Sequence, residues 1–283
     1  MVSKAIRPEW SNQPLQRRVI FSRMAKKTAL ITGGSIGIGF ELGRQFAAHG
    51  HDLVLVARNA DQLEAAAGKI EGKYGVSVRT IAMDLVDPAS PPRLFDTLTG
   101  DNVAIDFLVN NAGFGLGGDF IDTDIDRELD MIQVNCSAVV HLTKLFLPAM
   151  VKRKEGRILN LASLASFQAG PRHAIYYASK AFVLSFSEAI AEELRRTGVT
   201  VTALCPGPTE SGFAERAGTQ RSRLFTQAKV ATAEEVAQYG YAAMMKGTRV
   251  AIPGLQNKLL LQAQRIAPRI LVNKITARMQ DQT

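Results

Sequence analysis

From residue 28 to residue 252 the chain alternates short apolar runs with amphipathic stretches, and few architectures accommodate that rhythm. The runs fall near 28–34 (TALITGG), 52–58 (DLVLVAR), 77–84 (SVRTIAMD), 105–111 (IDFLVNN), 156–163 (GRILNLAS), 198–205 (GVTVTALC) and 249–252 (RVAI). Helix-like segments lie between them at 38–49, 60–73, 88–99, 124–153, 175–196 and 232–246. Strands apolar on both faces and joined through helices belong to a parallel sheet covered on both sides. The pattern predicts one α/β domain over residues 25–254, a doubly wound seven-stranded parallel sheet with helices on both faces. Residues 206–231 form an insertion at a strand's carboxyl end, where a substrate lid is expected. Residues 255–283 read as a C-terminal helical extension interrupted at Pro268.

The formal charge of +8 invites a nucleic-acid reading, and its distribution removes it. Residues 1–27 carry +6 and residues 258–283 carry +4, so the 230 residues between them are nearly balanced at −2. No basic stripe with interleaved aromatics is present there, and no nucleic-acid partner is expected. Cys136 and Cys205 make neither a disulfide framework nor a metal cluster, so no metal site is expected and a reducing cytoplasm fits. No apolar run approaches the roughly 20 residues of a bilayer span. Residues 1–24 are read three ways: sequence preceding a start at Met24, a disordered basic arm, or an organelle-targeting segment.

The first strand runs into Thr32-Gly33-Gly34-Ser35-Ile36-Gly37-Ile38-Gly39 and then a helix. Glycines let the backbone turn sharply against a pyrophosphate while the helix N-terminus faces the anion. Gly33, Ser35, Ile36, Gly37, Ile38 and Gly39 are therefore candidate cofactor contacts. The second strand ends in Ala57-Arg58-Asn59 rather than in an acid that would bind an adenosine ribose and repel a 2′-phosphate. Arg58 can hold that phosphate, so NADP(H) is expected over NAD(H). Asp84 and Leu85, ending the third strand, are placed to contact adenine, although Asp84 could equally cap the next helix. Asn110-Asn111-Ala112-Gly113 follows the fourth strand, and its small residues let a flat ring approach the backbone.

Tyr176-Tyr177-Ala178-Ser179-Lys180 opens a helix, with Ser163 thirteen residues upstream at a strand end. Residues four apart share a helix face, so Tyr176 and Lys180 are neighbours. An adjacent ammonium favours phenolate and is expected to lower the tyrosine's pKa. Ser163 is placed to orient a substrate oxygen, with Ser166 as a rival, and Asn135 to anchor a water linking Lys180 to solvent. His173 reads as a rim residue and Cys136 as a small core residue.

These motifs together resemble the classical short-chain dehydrogenase/reductase family. TGGSIGIG at 32–39 is similar to its TGxxxGxG turn, NNAG at 110–113 to its fourth-strand motif, and Ser163, Tyr176 and Lys180 to its serine and YxxxK residues. Asn135 matches the fourth catalytic position and Pro206-Gly207 the PG after the sixth strand. The resemblance covers residues 28 to about 254 and implies a Rossmann fold in which hydride moves between a nicotinamide and a carbonyl or carbinol carbon. It implies Tyr176 as the acid or base, Ser163 orienting the oxygen, Lys180 depressing the pKa and binding ribose, and Asn135 in the relay. Thr209 matches a position that bonds the nicotinamide carboxamide. PGPTESGF and the C-terminal tail further resemble an NADP-preferring bacterial-type reductase subgroup with relatives acting on acyl and steroid-like ketones.

The expected partner is a small carbonyl or alcohol substrate, and the family implies a homodimer or homotetramer through the helices at 124–153 and 175–196. Phe213 and Leu224 with Arg216, Arg221, Arg223 and Lys229 give the lid an apolar wall and a basic rim, which suits an acyl or steroid-type carbonyl. The basic, apolar C-terminal helix packs on a sister subunit or touches an anionic membrane. The alternative function is a non-catalytic dinucleotide-binding redox sensor or scaffold, which has no need of the tyrosine and lysine couple.

Overall fold

The computed structural model describes residues 26–216 and 230–280. Its sheet has seven parallel strands in the order β3-β2-β1-β4-β5-β6-β9. They are β1 (Thr28–Thr32), β2 (Asp52–Ala57), β3 (Val78–Ala82), β4 (Phe107–Asn110), β5 (Gly156–Leu161), β6 (Val199–Leu204) and β9 (Val250–Ala251). Each strand predicted from the sequence is present. Strand side chains alternate between faces, and β1 shows the result. Ala29 and Ile31 join a core with Leu42, Phe46 and Leu55, while Leu30 joins a second core with Val54, Leu98 and Ile158. Helices α1 (Gly37–Ala48), α2 (Ala60–Tyr74) and α8 (Ala233–Met245) cover the first face; α3 (Ser90–Gly100), α5 (Ala138–Arg153) and α6 (Ala174–Glu193) cover the second.

Strand order reverses between β1 and β4, so the loops after these strands diverge and open a crevice at the carboxyl edge of the sheet. A tight polar lattice holds its floor. Asn110 donates to Thr143 Oγ1 at 3.2 Å and to Asn160 Oδ1 at 2.8 Å, and Asn160 donates to Ser187 Oγ at 2.9 Å.

The segment expected as one helix over 124–153 is interrupted. Helix α4 (Ile125–Ile132) passes through a π-helical turn at Gln133–Ser137 into α5. No Gly or Pro interrupts Gln133–Ser137, so nothing local in the sequence marked the turn. The same stretch, Ile125–Arg153, is long and apolar enough to cross a membrane, contrary to the expectation from apolar runs, yet half of its most apolar window is buried inside the molecule.

Part of the insertion after β6 is described. Strand β7 (Thr209–Glu210) pairs in parallel with β8 (Ala231–Thr232), and α7 (Phe213–Arg216) follows β7. Residues 217–229 lie outside the described residues, as do residues 1–25; the expected roles of Leu224, Arg221, Arg223 and Lys229 fall there. At the C-terminus α9 (Leu255–Ile266) and α10 (Arg269–Gln280) flank Pro268, as the sequence predicts. They fold back over the crevice and bury Leu261, Thr276 and Gln280.

Candidate active site

The glycine turn is braced by the neighbouring strand end. Thr32 Oγ1 accepts from the backbone N–H groups of Asn111 and Ala112, each at 3.0 Å, and donates to the Val109 carbonyl at 3.3 Å. The Asn111 amide donates to the carbonyls of Thr32 and Gly33 at 2.9 and 3.1 Å. Its side chain therefore sets the turn. Gly37 has φ +57°, and a Cβ there would meet Ser211 O at 2.8 Å; a Cβ on Gly39 would collide with Gly33 O. Helix α1 starts at Ile36 without a side-chain cap, so its first N–H groups keep their capacity for an anion.

At the outer end, Arg58 and Asp84 form a loose ion pair at 3.9 Å with both side chains largely in solvent. Asp84 Oδ1 accepts from Val86 N at 3.0 Å, closing a local turn. It does not cap α3, whose N-cap Ala89 has no side-chain bond.

At the inner end, Ser163 caps the 3₁₀ turn Leu164–Phe167, accepting from Ala165 N at 3.1 Å. Ser166 accepts from Ser163 N and donates to the Lys180 carbonyl at 2.8 Å, so it ties this turn to α6. That commitment separates the two serines: Ser163 lines the cavity with Tyr176 and Ser166 serves the scaffold. Lys180 is buried, donates to the Leu161 carbonyl at 2.7 Å and holds its ammonium 5.9 Å from the Tyr176 ring centre.

The electrostatics differ from the sequence expectation. Burial pushes the Tyr176 phenol well above its ordinary value, with the Ser163 hydrogen bond pulling only partly the other way. Burial also lowers the Lys180 ammonium to about 8. In a dry site both groups lose hydration of their charged forms, and here that outweighs attraction between phenolate and ammonium.

Asn135 sits in the π-helical turn. Its Oδ1 accepts from Phe114 N at 3.1 Å, and its Nδ2 donates to Phe114 O and to Ser179 Oγ, each at 3.0 Å. The side chain thus clamps the loop after β4 to α6, and a Cβ on Gly113 would meet Asn135 Oδ1 at 2.8 Å and Lys180 Nζ at 3.5 Å. Cys136 is half-buried on the outer side, not in the core; its Sγ lies 3.8 Å from Ser179 O.

One cavity of about 620 Å³ connects these groups. Gly33, Ser35, Ile36, Gly37, Ile38, Arg58, Asp84, Leu85, Asn111, Ala112, Gly113, Ser163, Tyr176, Lys180, Pro206, Gly207 and Thr209 all line it. Gly39 and Asn135 stand behind the wall. Thr209 donates to Gly207 O at 2.9 Å, which shapes the PG loop. Phe213, expected in the apolar wall of the lid, lines the cavity, and several lining residues had no signal in the sequence: Phe114, Tyr177, Leu261, Gln264 and Gln280. Phe213 packs against Tyr176 with ring centres 5.1 Å apart. The apolar periodicity of the tail was visible, but its docking face was not. His173, expected at the rim, is buried in the cavity wall.

The family model for short chain dehydrogenase matches residues 27–222. The chain is 38% identical over 177 residues to a very-long-chain 3-oxoacyl-CoA reductase of Coprinopsis cinerea, across 61% of this chain and 52% of that one. It therefore spans about half the length of that relative. A short-chain dehydrogenase from Sphingobium yanoikuyae in complex with NADPH superposes with a TM-score of 0.76 at 32% identity, covering 84% of this chain and 94% of the other. A bulky-bulky ketone specific alcohol dehydrogenase from Comamonas testosteroni gives 0.72 at 28% identity, covering 84% and 92%. With its parallel sheet, glycine turn and matched model over most of its length, this chain belongs to the short-chain dehydrogenase family.

Proposed function

We propose that the chain interconverts a ketone or aldehyde and an alcohol with NADP(H), and that its substrate is bulky and largely apolar. The observation that carries this reading is that Ser163, Tyr176 and Lys180 line one cavity that runs on to Arg58. The wall fits the dinucleotide: a glycine turn too close for side chains, an uncapped α1 N-terminus for the pyrophosphate and an arginine for a 2′-phosphate. Bound there, the cofactor supplies or accepts the hydride.

The protein's own residues handle the oxygen and the proton. Ser163 donates to the substrate oxygen and polarises the carbonyl. Burial keeps Tyr176 protonated at neutral pH, the form that donates to the alkoxide as it develops. Lys180, anchored on Leu161 O, keeps further N–H donors for a ribose hydroxyl, and Asn135 positions the loop that shapes the nicotinamide end.

The size of the pocket and the names of the relatives support a lipid-like acyl or steroid-type carbonyl. A Tyr176→Phe variant tests the reading by NADPH oxidation over a panel of acyl, steroid, sugar and quinone carbonyls. Turnover should fall at least about 100-fold with NADPH binding retained. Normal turnover by the variant refutes the mechanism, and tight NADPH binding without turnover in the wild type supports the redox-sensor alternative.

Two assembly proposals accompany it. Exposed Ile125, Leu129, Ile132 and Phe182 on the outer faces of α4 and α6 support a homodimer or homotetramer, which a monomeric mass in solution would refute. Exposed Leu255, Leu259, Ile266 and Ile270 accompany Lys258, Arg265, Arg269 and Lys274, supporting peripheral contact of an otherwise cytoplasmic protein with anionic membranes. Failure to float with anionic liposomes at low salt would remove that option.

A further inference from the structure

Helices on a protein surface ordinarily turn their apolar stripe inward, and α9 and α10 do the reverse. On α9, Leu255, Leu259 and Ile266 stand four and seven residues apart, so they share one helix face, and all three are exposed. Leu261 and Gln264, three apart, line the cavity instead. On α10, Ile270, Leu271 and Ile275 are exposed, whereas Thr276 and Gln280, four apart, are buried. Leu261 is the one large apolar side chain of the two helices that is fully buried among the described residues.

The charge on the outward side has a single sign. Lys258, Arg265, Arg269, Lys274 and Arg278 are all exposed, and no acidic residue occurs from Gly254 to Gln280. Exposed apolar side chains interleaved with cations match the boundary of an anionic bilayer, where the acyl region takes the first and lipid phosphates take the second. A second copy of the chain fits less well, because a two-fold contact would set this face against itself, cation against cation.

The same helices wall the active-site cavity. Leu260 is 53% exposed and also lines the cavity with Leu261, so the cavity mouth adjoins the outward apolar face. The side-chain hydrogen bonds that hold the pair to the body are neutral: Gln280 Nε2 donates to the Tyr177 phenol oxygen at 2.6 Å, and Gln264 Nε2 donates to Gln168 Oε1. Such bonds contribute little net stability each, so the pair can part from the body without leaving a charge buried.

We propose that α9 and α10 form a lid that docks on an anionic bilayer through its outward face and admits the carbonyl substrate to Tyr176 directly from the lipid. This rests on the carbonyl reading and on the membrane contact, and adds the substrate's route and its control. An apolar substrate then never has to cross water, and turnover depends on the surface.

The test uses the full chain loaded with NADPH, vesicles of phosphatidylcholine with or without phosphatidylglycerol, and a variant combining Lys258→Glu, Arg265→Glu, Arg269→Glu and Lys274→Glu. These four side chains are exposed and lie outside the cavity wall. The wild type should partition onto phosphatidylglycerol vesicles at least about tenfold more strongly than onto phosphatidylcholine alone, with the preference screened by salt and absent from the variant. Entry is read without turnover: a nitroxide on a free stearate ester should quench the fluorescence of bound NADPH more strongly than the same nitroxide tethered to a phospholipid chain, because only the free chain can leave the leaflet. NADPH oxidation with 2-pentadecanone should be at least about fivefold faster on phosphatidylglycerol vesicles for the wild type and no faster for the variant, while both proteins reduce 2-hexanone alike in plain buffer. Equal partition onto the two vesicles, phosphatidylglycerol binding that the variant keeps, equal quenching by the two nitroxides or a 2-pentadecanone rate indifferent to anionic lipid each overturns the lid. So does a dimer in solution that the variant dissociates, which would assign the face to a second copy. Selective partition and quenching without oxidation of either ketone keep the lid and refute the carbonyl reading instead.

Discussion

Gln280 Nε2 lies 2.6 Å from the phenol oxygen of Tyr177, so the end of α10 is bonded to the residue beside Tyr176 on α6. Gln280 is buried, and the C-terminal helices are thereby part of the substrate cavity. A Gln280→Ala variant loses one buried bond worth about 1 kcal/mol. Its KM for a bulky ketone should rise about fivefold with unchanged affinity for NADPH, because the cofactor contacts lie on other elements. An unaltered KM in steady-state assays would show that α10 merely rests on the site.

Arg58 lies at the far end of the same cavity, paired with Asp84 only at 3.9 Å. A charge-assisted bond to a 2′-phosphate contributes about 1.5–3 kcal/mol. Arg58→Ala should lower the ratio of kcat/KM for NADPH over NADH by about 10- to 100-fold, chiefly through weaker NADPH binding. If the ratio stays the same, another residue reads the phosphate.

Burial lowers the Lys180 ammonium from 10.5 to about 8. Between these values the unfolded chain binds more protons than the folded one, so this group's contribution to stability rises with pH from about 8 to 10.5. Lys180→Met should therefore melt higher than the wild type at pH 7, by about 2–4 °C in the cofactor-free protein, with the gap closing toward pH 10. Turnover should be lost in the same variant. A lower Tm at pH 7 would mean that the bond to Leu161 O outweighs the desolvation of the charge.

Tyr176 is pushed in the direction that keeps its proton. Carbonyl reduction uses the phenol and alcohol oxidation uses the phenolate. With pH-matched saturating cofactor, the reduction rate should stay level from pH 6 to 8 while oxidation climbs steadily with pH. Oxidation already level at pH 7 would indicate a phenol lowered by its surroundings.

Much of this site was legible before folding because it is written in local signals. The glycine turn sits between one strand and one helix, and Tyr176 and Lys180 are one helical turn apart, so their proximity follows from helix geometry alone. Arg58 was found by its place at a strand end. The thirteen-residue spacing to Tyr176 favours Ser163 over Ser166, but the physical difference between them, a hydrogen bond from Ser166 to the Lys180 carbonyl fourteen residues away, is not a local signal.

The sequence by itself determined the parallel sheet, the order of its helices and the residues at its carboxyl edge, because apolar periodicity and glycine placement act over a few residues. Only the tertiary structure decided the rest. The π-helical turn lifts Asn135 onto the Phe114 backbone, and α9 and α10 close on the cavity through Gln264 and Gln280. It also decided the protonation of Tyr176, since a pKa depends on how much water the assembled walls exclude. Burial and long-range contact are properties of the packed chain, and no local pattern carries them.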